Sequence, residues 1–217
     1  IGTEAVDLSY STSASTTRGA TGDYALAYGL NTTASGDFSF AAGVSSTASG
    51  DYSFAMGSLS LARGILSMAY GQNTTASNAL ANAFGDRTTA SGRASFASGA
   101  TTTASGDQSF AGGNNSFALG DQSFAFGNGA SATANQSFAT GFGVQASGNT
   151  SFASGFSTAA NGGQSFAIGN GTNANSRGEV AMGNYNTNLT AASPNGNNTT
   201  DRVLSVGIGI SAATSAD

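Results

Sequence analysis

Small apolar residues recur along this chain with a fixed beat. Alanine stands at Ala27, Ala41, Ala55 and every fourteen residues onward to Ala181, and a second series, Ala20, Ala34, Ala48 through Ala174, lies half a period away. Glycine follows the first series two positions later, from Gly29 and Gly43 to Gly183, with no insertion or deletion. Phe fills the position just before that series at Phe40, Phe54, Phe96, Phe110, Phe124, Phe138, Phe152 and Phe166, which is eight of the fourteen Phe in the protein. Leu26, Met68, Asn82 and Val180 take the same position in other repeats.

A seven-residue beat can signal a coiled coil. Here each half-period carries Gly or Asn with Ser and Thr, and no run of Leu, Glu and Lys is present to hold a helix. Short β segments between turns every seven residues predict an all-β fold, a β-solenoid of fourteen-residue coils. Each coil is expected to be two strands of four or five residues joined by tight Gly-Asp or Gly-Asn corners. The Gly-, Ser-, Thr- and Asn-rich composition alone would suit disorder, but disorder needs no register.

Alternation along Ser39-Phe40-Ala41-Ala42-Gly43 puts Phe40 and Ala42 on one face and Ser39 and Ala41 on the other. Both alanine series are read as coil interior: Ala27, Ala41, Ala55, Ala97 and Ala139 in one, Ala34, Ala48, Ala62, Ala104 and Ala146 in the other. A position held to a methyl group is one without spare room. Ser39, Ser53 and Ser95 would add inward hydroxyl ladders bonded along the stack. The Phe register then faces out. Eight phenyl rings at about 150–250 Å² each give an apolar stripe of over about 1,000 Å², beyond the roughly 300–600 Å² that soluble monomers expose. Nothing else in the chain is long enough to cover it, so further copies of the chain are the expected cover. The interface residues are Phe40, Phe54, Met68, Asn82, Phe96, Phe110, Phe124, Phe138, Phe152 and Phe166. The competing arrangement, Phe inside and Ala outside, would bury the Asn82 amide in a narrow core at a cost.

Residues 1–19 read as a degraded opening coil that caps the stack, with Val6 and Ser13 in the alanine positions. Residues 20–183 hold twelve coils. Residues 184–217 read as an exposed Asn- and Thr-rich loop around Pro194, then an apolar strand from Arg202 to Ile210. The abrupt end at Asp217 suggests that more polypeptide, a stalk or a trimerisation domain, followed. No signal peptide is visible at Ile1. In Asn114–Gly120 one half-coil copies the other, which places Phe117 where Thr is usual; it reads as a local apolar patch or, preferably, as the scar of a duplication slip.

The chain has no Cys, His, Trp or Lys, six Arg and a net charge of −5. A nucleic-acid partner wants a basic stripe and is not expected. No apolar run is long enough to cross a bilayer. Without His or Cys the usual nucleophile–base pairs and imidazole or thiolate metal sites are missing, and no cofactor is expected. Asp23, Asp37 and Asp51, like Asp107 and Asp121, stack one coil apart. That is about 4.8 Å, near the roughly 5–5.5 Å of retaining glycosidases, so a glycan-cleaving fibre is one alternative. The plainer reading is that each Asp accepts backbone hydrogen bonds at its own corner. Calcium would want six to eight oxygen ligands, and one Asp per coil is sparse. Thr33, Ser35, Thr47, Ser49, Thr75, Ser77, Thr89, Ser91, Thr103 and Ser105 form a regular outward array. It could be a binding face, an ice-binding face, or plain solvated surface, and it breaks at Leu61 and Phe117.

Gly36-Asp37-Phe38-Ser39-Phe40-Ala41-Ala42-Gly43, followed by Thr47-Ala48-Ser49-Gly50, resembles the head repeats of YadA-like trimeric autotransporter adhesins. The resemblance covers roughly residues 20–183. It implies a left-handed parallel β-roll, a homotrimer wound about one axis, and attachment at a cell surface through an outer-membrane anchor elsewhere. Phe stands where that family usually has Val, so a bulkier interface is expected. Asp201-Arg202-Val203-Leu204-Ser205-Val206-Gly207-Ile208-Gly209 resembles, more weakly, the segment that closes such heads in long surface proteins and phage tail fibres, so a virion fibre stays open as the setting. The expected function is an extracellular, non-enzymatic spike holding a multivalent face toward a protein or glycan receptor.

Overall fold

The computed structural model describes residues 1–12, 17–186, 194–196 and 201–208, and contains strands, turns and bends with no helix among them. The chain divides into two compact units, Ile1–Gln108 and Ser109–Asp217. Each is a parallel β-solenoid with two sheets.

In the first unit seven long strands follow one another in sequence order: Val6–Tyr10, Leu26–Leu30, Phe40–Val44, Phe54–Ser58, Met68–Gln72, Asn82–Asp86 and Phe96–Ala100. Seven two-residue strands, Gly19–Ala20 and Thr33–Ala34 through Thr103–Ala104, form the other sheet. The second unit has six long strands from Phe110–Asn114 to Val180–Asn184, then Leu204–Ile208, opposite five short strands from Phe117–Ala118 to Asn173–Ala174. In the regular coils every residue pairs with the one fourteen positions on, as Ala27 with Ala41 and Thr33 with Thr47.

The two strands of a coil are unequal, against the expectation of two similar ones. The short strand stops because the chain turns out of the ladder: Ser35 and Gly36 both donate to the Ala48 carbonyl, at 2.8 and 3.3 Å. Both corners use left-handed backbone, at Tyr24, Phe38 and Tyr52 (φ 57° each) on one side and Asn31 (φ 56°) and Ser45 (φ 53°) on the other. A bulky side chain there costs roughly 1–2 kcal/mol.

Both alanine series are inside. Ala27, Ala34, Ala41, Ala48, Ala55, Ala62, Ala97, Ala104, Ala139 and Ala146 are each 0% exposed. The phenyl-inside arrangement is therefore not the one formed. The glycine that follows has a double requirement. Gly43 lies at φ 110°, and a Cβ on it would meet the Gly57 carbonyl oxygen at 2.0 Å.

The inward hydroxyls depart from expectation. Ser39, Ser53, Ser67, Ser123, Ser151 and Ser165 are buried, and their Oγ atoms make no hydrogen bond along the stack. Ser95 Oγ instead donates to Gly92 O at 2.6 Å, within its own turn. A different row carries coil-to-coil bonds: Ser46 Oγ donates to Gly57 O and Ser60 Oγ to Gly71 O, each at 3.0 Å, and Thr74 Oγ1 donates to Ser60 Oγ at 3.0 Å. This second corner lies beside the glycine strand end, where the carbonyl of the next coil points inward within reach.

The end coils are longer than the rest. Val6, expected in the Ala20 register, pairs with Leu26, twenty residues on, so the opening coil holds six more residues than the regular ones, and Asp7 rather than Ser13 occupies the Ala27 register. Ser13 lies outside the described residues. Val180 pairs with Leu204, twenty-four residues on, a coil ten residues longer than usual. Leu204–Ile208 thus continues the solenoid. Of the expected loop, 187–193 and 197–200 lie outside the described residues. Asn186, expected to be exposed, is 4% exposed. Its amide donates to Asn173 O at 2.8 Å and to Ser205 Oγ at 3.0 Å. Glu179, 1% exposed, accepts the backbone N–H groups of Asn175 and Ser176 and the Arg202 Nε–H, and so ties the closing strand to the last regular corner.

Candidate functional site: the outward faces of the roll

The period-two alternation of the long strands turns one column of aromatic side chains outward in each unit. In the first, Phe40 and Phe54 stack with centroids 4.9 Å apart, and Phe96 tilts against Phe84 at 5.4 Å. Between them Met68 is exposed, and Asn82 spends its amide on the Leu80 carbonyl at 2.9 Å. In the second, Phe110, Phe124, Phe138, Phe152 and Phe166 form an unbroken stack with spacings of 4.6–4.9 Å. These rings are half-buried in the single chain, covered on their flat faces by one another. Their outer edges remain open. Exposed Tyr28 and Tyr70 in the first unit, and Phe126, Phe142 and Phe156 in the second, widen the apolar face.

A second apolar row lies outside the Phe and Ala registers that mark the repeat. Tyr24, Phe38 and Tyr52 stack at the first corner with centroids 4.8 and 5.0 Å apart, and Leu66 and Leu80 follow in the same register, all exposed. In the second unit this register is polar, with Gln122, Gln136, Thr150 and Gln164. The signal was available: the residue two before each Phe changes from aromatic to Gln along the chain.

On the short strands Thr33, Thr47, Thr75, Thr89 and Thr103 are half-buried and alternate with buried alanine. Beyond them Ser35, Ser49 and Ser105 are exposed, and Ser77 and Ser91 half-buried. The array is flat and regular, with Leu61 and Phe117 in the Thr register.

The stacked aspartates do something other than expected. Asp37 Oδ1 accepts the backbone N–H of Asp23 at 2.9 Å, and Asp51 Oδ1 that of Asp37 at 3.1 Å. Asp107 accepts from Arg93 at 2.8 Å. Each carboxylate therefore reaches back one coil rather than capping its own corner, a charge-assisted tie between coils. Asn135 does the same for Asp121 at 3.0 Å, so the role asks for an oxygen acceptor and not for a charge. Among the described residues no group of three or more His, Cys, Asp or Glu could hold a metal ion. No described helix is long and apolar enough to cross a membrane, which says nothing of β-barrel strands.

Comparison with known proteins adds one match. The family model for the YadA head domain repeat fits residues 20–43, 34–60, 90–116, 97–123 and 118–143. No curated protein matches the chain. YadA-type adhesins are extracellular surface proteins anchored in the outer membrane, their heads form homotrimers in general, and the family suggests adhesin-type surface binding. The all-β parallel solenoid and this motif match agree: the repeats within residues 20–143 match the head repeats of YadA-like trimeric autotransporters.

Proposed function

We propose that this chain is the rigid head of a homotrimeric, left-handed β-roll spike that attaches its bearer to a host or cell surface by multivalent contact. Residues 20–183 are the head, 1–19 open it and 184–217 close it. The observation that carries the reading is the outward aromatic column. In the second unit Phe124 stacks between Phe110 and Phe138 with its outer edge open, and its column goes on to Phe152 and Phe166; the first unit has its own column of Phe40, Phe54, Met68, Asn82 and Phe96. A stripe of this size is covered in a stable protein, and three copies around one axis cover it with identical faces.

Receptor contact then falls to what the trimer leaves open: the Thr/Ser array of the short strands and the turn tips. Each contact is shallow, and three together raise avidity by about 10²–10⁴ over one. The partner is a surface protein or glycan. The aspartate ties are occupied with backbone, which takes support from the glycan-cleaving alternative. Leu61 and Phe117 interrupt the flat hydroxyl array that ice binding would use.

Beads coated with the purified chain should adhere to host-type cells. Beads coated at equal density with a monomeric Phe124→Asp variant should adhere at least a hundredfold less. Equal adhesion by the two, or none by either, would count against the proposal.

A further inference from the structure

We propose that the corner around Arg177 is a binding site for the carboxylate of an acidic monosaccharide. It rests on the surface-binding reading for its biological setting only. A cleft of about 220 Å³ in the second unit is lined by Asn149, Thr150, Gly163, Gln164, Arg177 and Asn195. One wall is the corner of the roll. The other is the Pro194–Asn195 segment, held in place by the Gly163 N–H, which donates to Pro194 O at 2.9 Å.

The register that carries Asp121 continues as Asn135, Asn149, Gly163 and Arg177, so negative charge gives way to amides and then to a cation. A Cβ at Gly163 would press on Asn195 Oδ1 at 3.3 Å, and the glycine keeps the cleft open. Arg177, on the wall of the cleft, donates its Nε–H to Gln164 Oε1 at 3.2 Å, a bond that does not use its two Nη groups. Among the described residues no carboxylate lies within salt-bridge distance of Arg177, whereas Arg202, the other arginine of this unit, is held by Glu179.

A guanidinium without a counter-charge, fixed by an amide, matches a planar carboxylate through two parallel N–H bonds. The surrounding Asn149, Gln164 and Asn195 amides, each both donor and acceptor, suit ring hydroxyls and acetamido groups. The volume is small beside the roughly 300–1,000 Å³ of drug-sized sites and fits one sugar ring. The net charge of −5 repels anions elsewhere on the surface, so this fork would decide where an acidic sugar settles.

Saturation-transfer NMR on the full assembly tests this with free N-acetylneuraminic acid, its methyl ester, galactose and galactose 6-sulfate. The acid should bind with a Kd on the order of 1 mM, and the ester and galactose at least tenfold more weakly. Arg177→Met should weaken the acid at least tenfold. Arg87→Met, which removes an arginine paired with Asp86 at 3.1 Å in the first unit, should not. Equal binding of acid and ester, or unchanged binding by Arg177→Met, overturns the proposal; equal binding of the sulfate overturns the carboxylate assignment. The acid–ester comparison needs no variant, so it decides even if Arg177→Met folds poorly. Bead adhesion without sugar binding would sink this site and leave the surface-binding reading standing, whereas sugar binding without adhesion would do the reverse.

Discussion

Arg202 places its Nε–H 2.8 Å from the Glu179 carboxylate, across twenty-three positions of sequence. Glu179 is 1% exposed and also accepts two backbone N–H groups, so its charge is met from three sides. Removing one partner of such a pair leaves a buried charge short of its counter-ion, which costs about 3–5 kcal/mol.

Arg202→Met is therefore expected to loosen the closing strand. The loss should appear locally, as amide exchange in Leu204–Ile208 faster by roughly a hundredfold to a few thousandfold, since every 1.4 kcal/mol is roughly tenfold. Exchange in Phe96–Ala100 should not change. Unaltered protection of Leu204–Ile208 would mean that the ion pair contributes nothing to docking that strand.

Gly43→Ala should be among the most damaging single changes. The new Cβ would sit 2.0 Å from the Gly57 carbonyl oxygen, at a φ of 110° that side chains rarely adopt. Backbone strain and overpacking, at roughly 1–3 kcal/mol each, predict a loss of about 2–6 kcal/mol in denaturant unfolding. Gly129→Ala is the control: its Cβ meets nothing nearer than 3.8 Å, though at φ 69°. It should cost about 1 kcal/mol.

Enlarging the interior should hurt where enlarging the surface does not. Ala41 is 0% exposed, and Ala41→Leu should destabilise by about 1–3 kcal/mol. Thr47→Val, on the outward side of the short strand, should stay within about 0.5 kcal/mol. Paired thermal melts of the two variants check the assignment of inside and outside.

The aspartate ties can be separated from charge. Asp37→Asn keeps an oxygen for the Asp23 N–H, as Asn135 does for Asp121, and should leave stability within about 0.5 kcal/mol. Asp37→Ala removes that acceptor from an exposed site and should cost about 0.5–1.5 kcal/mol. Equal losses for the two would point to the charge rather than to the bond.

Much of the fold could be read in the spacing, for a physical reason. Ala34 and Ala41 have no latitude inside a coil this thin, and Gly43 has none beside Gly57, so the repeat is written in residues that tolerate no exchange. Both ends escaped that reading. The opening coil gains six residues and the closing coil ten, so the fourteen-residue count does not carry across either end. The fourteen-residue count sets Val6 against Ala20 where the fold pairs it with Leu26, and it gives no sign that Leu204–Ile208 is the next coil. The hydroxyl rows were misassigned because spacing tells which side chains face inward but not which carbonyl each can reach. Ser46 finds the next coil's Gly57 oxygen, and Ser39 finds none. The cleft at Arg177 needs Asn195 to fold back from a loop with no repeat, so no periodicity could announce it.

The most direct test is the mass of the assembled protein in solution, by sedimentation equilibrium or native mass spectrometry at micromolar concentration. The outward column from Phe110 to Phe166 predicts three copies of the 21.1 kDa chain, reduced to one by Phe124→Asp. A monomeric, stable parent protein with its phenyl edges in water would contradict it.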